Sequence, residues 1–343
     1  MKYFIILCIV CLCPLDSMFA QTPIMESIRE KFSKIEFQYD TVSGIGYEKG
    51  CTRRDPSDII KVGGTYYVYY TKIYGRSPGY WGTIWYATSN DDGYHWKEQG
   101  EILGVGKKGM FDAQATFTPN ILYSEGKYYL YYTGVKPTPG NAKGEFENNS
   151  TTDITAIGVA MSASPGGPFK RISEEPILKV SMETEKFDSY RVDDAALLFR
   201  NGKYWLYHKG RSRVHDKEGP VHTQMGVAFS SSPKGPFIKY SKPILPQSHE
   251  VMIWQEGSGI GALSSLSGTL EYAPDGIDFT SNPLSVKLKS FPKAPGAYRA
   301  DLNSQSKEGN GLSWGISMVM NNDECYLIRY KLKSSNTFAL RNQ

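Results

Sequence analysis

The chain repeats itself, and that constrains its fold more than any other feature. The segments "KVGGTYYVYYTK" (61–72), "SEGKYYLYYTG" (124–134) and "RNGKYWLYHKG" (200–210) share a glycine turn followed by alternating aromatic and aliphatic residues. That is the pattern of a hairpin feeding a strand. A second element follows each in the same order: "TIWYATSNDDGYHWKEQG" (83–100), "AIGVAMSASPGGPFKRISEEPIL" (156–178) and "MGVAFSSSPKGPFIKYSKPIL" (225–245). Each reads as strand, polar Gly/Pro turn, strand. "GTLEYAPDGIDFTS" (268–281) is a fourth copy of this element, and "LSWGISMVMNNDECYLIRYKL" (312–332) supplies closing strands. A four-stranded unit recurring about every 60–75 residues is the β-propeller solution to exposed sheet edges. Two different signatures recurring in one order argue against a β-sandwich with accidental similarity. Roughly 290 residues at this period give five blades. The expected fold class is all-β, a five-bladed β-propeller with a short N-terminal helical segment.

The helical segment is "PIMESIREKFSKI" (23–35), whose Ile24, Ile28, Phe32 and Ile35 fall near one face. It can pack on the propeller or on a partner. Before it, Met1-Lys2, the apolar run "YFIILCIVCLCPL" and the small residue Ala20 read as a secretory signal peptide. The expected organisation is a leader over 1–20, a helical extension over 21–43 and a catalytic propeller over 44–343. The protein is then exported, periplasmic or secreted, with no membrane association after cleavage. Three of the five cysteines leave with the leader. Of the other two, Cys51 and Cys325, buried free thiols are the plainer expectation, although export permits a disulfide. The net charge is only +4 and the Lys and Arg are scattered, so nucleic acid is not an expected partner. With 24 Tyr and 6 Trp, the chain suits stacking on sugar rings, but also plain β packing, so composition does not decide between them.

The innermost strand of each propeller blade lines the central channel, so residues just before each aromatic hairpin are candidates for a pocket. In order they read "RRDPSDIIKV", "FDAQATFTPNILY", "YRVDDAALLF" and "SHEVMIW". Asp55, Asp112, Asp194 and Glu250 are expected to converge on one axis. Glycosidic cleavage needs one group to activate water or attack carbon, and another to protonate the leaving oxygen. Grouped carboxylates also separate each other's pKa values. Arg53 and Arg54 would hold Asp55 ionised. Asp58, three residues on, is expected on the opposite face in a structural role. His249 is a candidate general acid or a core histidine. Charges on Asp194 and Glu250 would be expected to raise its pKa.

These residues resemble glycoside hydrolase family 117, a relative of the family 43 and family 32 five-bladed propellers. The resemblance rests on "TRRDPSDIIKV", "GYWGTIWYATSNDDGYHWKEQG", "FTPNILYSEGKYYLYY", "DDAALLFRNGKYWLYHKG" and "SHEVMIW", and runs from about Gly44 to Phe279. It implies an exo-acting, inverting glycoside hydrolase that releases non-reducing-end α-1,3-linked 3,6-anhydro-L-galactose from agar-derived oligosaccharides. The family's base maps to Asp55 and its pKa-setting aspartate to Asp194. Its proposed histidine acid maps to His249, and the supporting or alternative acid to Glu250. The substrate-contacting positions are expected to be Arg53, Arg54, Trp81, Asp112 and Thr118. No cofactor is required, though a divalent cation near the pocket is allowed. A homodimer through the N-terminal segment is implied, with an oligosaccharide as substrate. The chain departs from the family pattern at Asp193 (a histidine there), Ala195 (a proline), Asn120 (a glutamate) and Ser248 (a glycine).

Overall fold

The structure, a computed structural model, describes residues 15–75, 79–136, 154–281, 283–302, 311–322 and 324–333. Most of the expected leader, and the polar loop after Lys136, lie outside the described residues. Five antiparallel sheets follow one another along the chain as the blades of a propeller. Blade one comprises Cys51–Arg54, Ile60–Val62, Thr65–Tyr74, Thr83–Ser89 and Lys97–Leu103; its innermost strand is broken into the first two pieces. Blade two runs from Ala115–Ser124 to Lys170–Arg171, blade three from Arg191–Arg200 to Ile238–Lys239, and blade four from Val251–Glu256 to Leu284–Lys287. The hairpin turns follow the expected chemistry: Glu125-Gly126 and Asn201-Gly202 both take positive φ, as a two-residue turn matched to strand twist requires.

Blade five joins the two ends of the chain. Lys293–Ala297, Trp314–Asn321 and Glu324–Leu332 are completed by Phe37–Thr41, with Phe37 opposite Leu332 and Thr41 opposite Ile328. The expected helical extension over 21–43 therefore divides. Its last part is a propeller strand, because a ring closed by a strand from the other terminus has no loose edge to unzip.

The apolar residues form no single central core. One cluster lies between each pair of neighbouring blades, as between blades one and two (Tyr69, Ile84, Leu130, Tyr132) and between blades three and four (Tyr207, Val227, Ile253, Ile260). Blades covered on both faces explain why the middle strands are buried almost without interruption, as over Lys127–Lys136. The helix Leu15–Ser33 caps the seam between blades four and five. Ile28 and Phe32 are buried there, Phe32 lies 5.9 Å from the Trp254 ring, and Lys31 Nζ donates to Glu256 Oε1 at 2.6 Å. Ile24, expected on this face, is exposed, and Met25 packs in its place. Cys51 and Cys325 are free and buried.

Candidate active site

The innermost strands of four blades carry the same backbone irregularity. Asp55, Thr118, Asp194 and Ala294 all have φ between 40° and 59°. In blades two, three and five the strand register slips at that residue, between Phe117 and Asn120, Asp193 and Ala196, and Lys293 and Gly296. In blade one the strand breaks there. A bulge inserts one residue and re-aims its side chain, and a non-glycine residue held at positive φ within a strand, away from a hairpin turn, is uncommon. All four residues line one cavity of about 230 Å³ on the propeller axis. Blade four has no such bulge and contributes His249 and Glu250 just ahead of its strand.

The bulges are held in place between blades. The Thr118 amide donates to Thr71 Oγ1 of blade one at 3.0 Å, and the Asp194 amide donates to Thr133 Oγ1 of blade two at 3.2 Å. The threonine that ends each "YYT" hairpin thus fixes the pocket residue of the next blade.

Asp55 accepts from Arg54 Nε at 2.8 Å, and both line the cavity. Burial opposes the Arg54 charge, but Asp55 more than offsets it and raises the guanidinium pKa. Asp194 Oδ2 accepts from the Val251 amide at 2.8 Å. Burial pushes its carboxyl pKa up to about 8, with Asp193 and Glu250 adding to the rise and Lys209 opposing it. Glu250 goes the other way: burial works against its charge, but His249, Ser265 and Lys209 hold it below the usual carboxylate range. His249 Nδ1 lies 3.3 Å from the Pro220 carbonyl and 3.4 Å from Thr223 Oγ1. Its pKa is lowered, first by burial and then by Lys209, against the pull of Glu250. The expected rise is therefore reversed, because a buried imidazole beside an ammonium loses more than a neighbouring carboxylate returns.

Of the expected substrate-contacting residues, Arg54 and Thr118 line the cavity. Arg53 does not. Adjacent strand residues point to opposite faces, and Arg53 turns away to Glu98 (2.9 Å) and Glu48 (2.5 Å). Asp112 is also displaced. It is buried within blade two, accepting from Arg171 Nε at 2.6 Å and Tyr132 OH at 3.0 Å. Its counterpart in the repeat is Asp188, which pairs with Lys239 at 2.5 Å in blade three. Both follow a phenylalanine, and both sit over a glycine: a Cβ at Gly134 would come 2.6 Å from Asp112, and one at Gly210 2.9 Å from Asp188. Trp81 is exposed beyond the lining, where its neighbour Tyr80 takes the pocket position. Asp58 is structural as expected, accepting from the Ala297 amide at 2.9 Å and Arg299 Nη1 at 3.1 Å. It nevertheless borders the cavity. Tyr80, Lys209 and Pro220 were not anticipated. Lys209 had a legible signal, being the lysine of "YHKG" where the other hairpins read "YYT". Among the described residues no group of three or more His, Cys, Asp or Glu is arranged to hold a metal ion.

Residues 52–196 match the model of glycosyl hydrolases family 43. A family 117 glycoside hydrolase from the marine bacterium Zobellia galactanivorans superposes with a TM-score of 0.73 at 27% identity, over 88% of this chain and 91% of that one. The chain is a glycoside hydrolase propeller, similar to families 117 and 43. A GH43_1 enzyme from Xanthomonas citri shares the fold, with a TM-score of 0.54 at 11% identity over 90% and 93% of the two chains. Arabinan endo-1,5-alpha-L-arabinosidase B of Emericella nidulans is 40% identical over 115 residues, which is 33% of this chain and only 22% of that enzyme. Against the family 117 pattern, the departure at Asn120 has a local reason. Its Nδ2 donates to Asp58 Oδ2 at 3.3 Å, where a glutamate would set two carboxylates together.

Proposed function

We propose that this glycoside hydrolase propeller is an exo-acting, inverting enzyme that removes a terminal α-1,3-linked 3,6-anhydro-L-galactose from agar-derived oligosaccharides. The observation that carries the reading is one cavity that sets the Asp55–Arg54 pair of blade one among Asp194 of blade three and His249 and Glu250 of blade four. At about 230 Å³ it is smaller than the roughly 300–1,000 Å³ typical of drug-sized ligands, and suits one sugar ring. That favours action at a chain end.

In this reading Asp55, held in place by Arg54, takes a proton from water as the water attacks the anomeric carbon. The proton for the leaving oxygen comes from Asp194, His249 and Glu250, whose titrations belong to the group. Asp194, with its pKa near 8, holds that proton at neutral pH, while Glu250 is ionised and His249 neutral. Acids on separate blades leave room for a water between base and sugar, the arrangement of inversion. Proton NMR of the first-formed product tests it: inversion is expected, and retention of the starting anomer rules it out. We also propose that the leader directs export.

The local identity with an arabinan-cleaving enzyme favours a second substrate, a terminal arabinose-like sugar. Incubation with neoagarobiose, carrageenan disaccharides and arabino-oligosaccharides, followed by thin-layer chromatography, separates the readings. Release of anhydrogalactose from neoagarobiose is expected, and release of arabinose alone would replace it.

A further inference from the structure

The position just before each bulge faces a fixed partner across the hairpin. Arg54 stands opposite Thr71, Phe117 opposite Thr133, and Asp193 opposite Lys209. Blade three alone of these sets two opposite charges across the hairpin, where blades one and two each place a threonine opposite. Asp193 is fully buried, its Oδ1 lies 3.2 Å from Lys209 Nζ, and neither carboxylate oxygen has a hydrogen-bond partner of good geometry. Lys209 is itself only 9% exposed at its side chain and lines the cavity together with Asp194, His249 and Glu250. Threonine at this position would anchor the next blade's bulge, as Thr71 and Thr133 do. Blade four has no bulge there to anchor, so the position is free for a different task.

We propose that Lys209, seated on Asp193, is a positioning residue that sets the charge of the proton-donating wall of the pocket. The inference rests on the site described under the proposed function. The ammonium offers an ion-pair partner to Asp193 and a positive field to the three groups beside it. That field adds to burial in lowering the pKa of His249, adds to His249 and Ser265 in lowering that of Glu250, and partly opposes the rise at Asp194. The other charges facing the cluster are Arg211 on the same strand, which acts on His249, and Arg54, Asp55 and Asp58 across the pocket; Arg191, at the start of the neighbouring strand, acts on Asp193 and Arg211. Arg211 acts on His249 in the same sense as Lys209, while Arg54 is paired with Asp55.

Removing Lys209 alone strands a buried carboxylate, which can unfold the protein. The test therefore uses Asp193→Asn/Lys209→Met beside Asp193→Asn and Lys209→Met. The His249 ring is titrated by NMR in the free full-length protein, with its signal assigned by difference from His249→Gln. In the double variant the imidazole pKa is expected to rise by about one unit relative to Asp193→Asn. The alkaline limb of kcat/KM is expected to move upward with it. An unmoved or lowered imidazole pKa overturns the proposal, as does a rise in KM with an unmoved imidazole, which would make Lys209 a substrate contact only. The NMR arm does not depend on turnover. If the protein cleaves no glycoside, the functional reading fails while the Lys209 result still stands or falls by itself.

Discussion

Blades one and three use the same backbone device to opposite electrostatic ends. Each interrupts the regular pairing of its innermost strand at an aspartate held at positive φ, 49° at Asp55 and 59° at Asp194, and each places that aspartate in the lining of the shared cavity. Asp55 has its own cation one residue away, at 2.8 Å. Asp194 has a cation that is already engaged by Asp193 at 3.2 Å, and it accumulates like charges from Asp193 and Glu250. The bulge therefore chooses where an acid sits, and its neighbours choose the charges that surround it. One carboxylate beside its own cation and another raised by burial suit the two halves of acid–base chemistry.

The comparison is broken most severely by removing the base. Asp55→Asn keeps the shape of the side chain but cannot take a proton, so activity on the natural substrate should fall by about 10²–10⁴-fold while thermal melting changes little. A purified variant retaining more than about a tenth of wild-type turnover would exclude Asp55 from that role.

Asp194→Asn should also stop turnover, but with the opposite effect on stability. The folded-state pKa of Asp194, about 8, lies above the unfolded value, so the fold holds a proton that the unfolded chain releases. The stability that Asp194 permits is therefore complete below about pH 4 and erodes as pH rises towards the folded value. The amide can still accept from the Val251 N–H and carries no such penalty. Melting temperature should be raised by a few degrees at pH 8, corresponding to roughly 1–3 kcal/mol, with the gain vanishing near pH 4. A variant that is destabilised equally at both pH values contradicts a protonated Asp194.

A milder probe is the pH profile of the intact enzyme. If Asp194 stores the proton for the leaving group, kcat/KM should decline through about pH 8. A lone His249 acid would decline below its reference value of about 6.5, because burial lowers its pKa. Leaving-group dependence then identifies the immediate donor. The variant among His249→Ala and Glu250→Gln that spares an activated aryl glycoside, but not a natural one, has lost the donor.

The smallest effect separates the two threonine anchors. Thr133→Val leaves the Asp194 amide without its acceptor and should lower kcat several-fold, whereas Thr71→Val does the same to Thr118 and should leave kcat within about twofold. Each should cost about 1–3 kcal/mol of stability in a urea melt, because a buried donor is left unsatisfied. Equal effects on kcat would mean that the bulges in blades two and three do not differ in function.

How much could be read without coordinates differs between the fold and the site. Glycine turns followed by aromatic alternation are local features, so three hairpins and the five-bladed count were legible as periodicity. Asp55, Asp194, His249 and Glu250 were legible because each stands at the start of a recognisable strand. Phe37–Thr41 was not, since its partner lies almost three hundred positions away at Glu324–Leu332, and nothing local distinguishes a closing strand from an extension. Asp112 was placed by analogy with the wrong aspartate: its repeat partner is Asp188, six residues before Asp194, just as Asp112 is six before Thr118. Arg53 and Arg54 look interchangeable as letters, and only strand parity sends one to Glu98 and the other to Asp55. A bulge adds one residue and reverses that parity, so a period of two cannot be extended through it. The sequence by itself determined the architecture and which acids are present, because both are carried by short-range pattern. Tertiary structure decided which acids meet and which of them hold a proton. Those properties depend on burial and on charges brought in from other blades, and a buried charge takes its energy from everything around it.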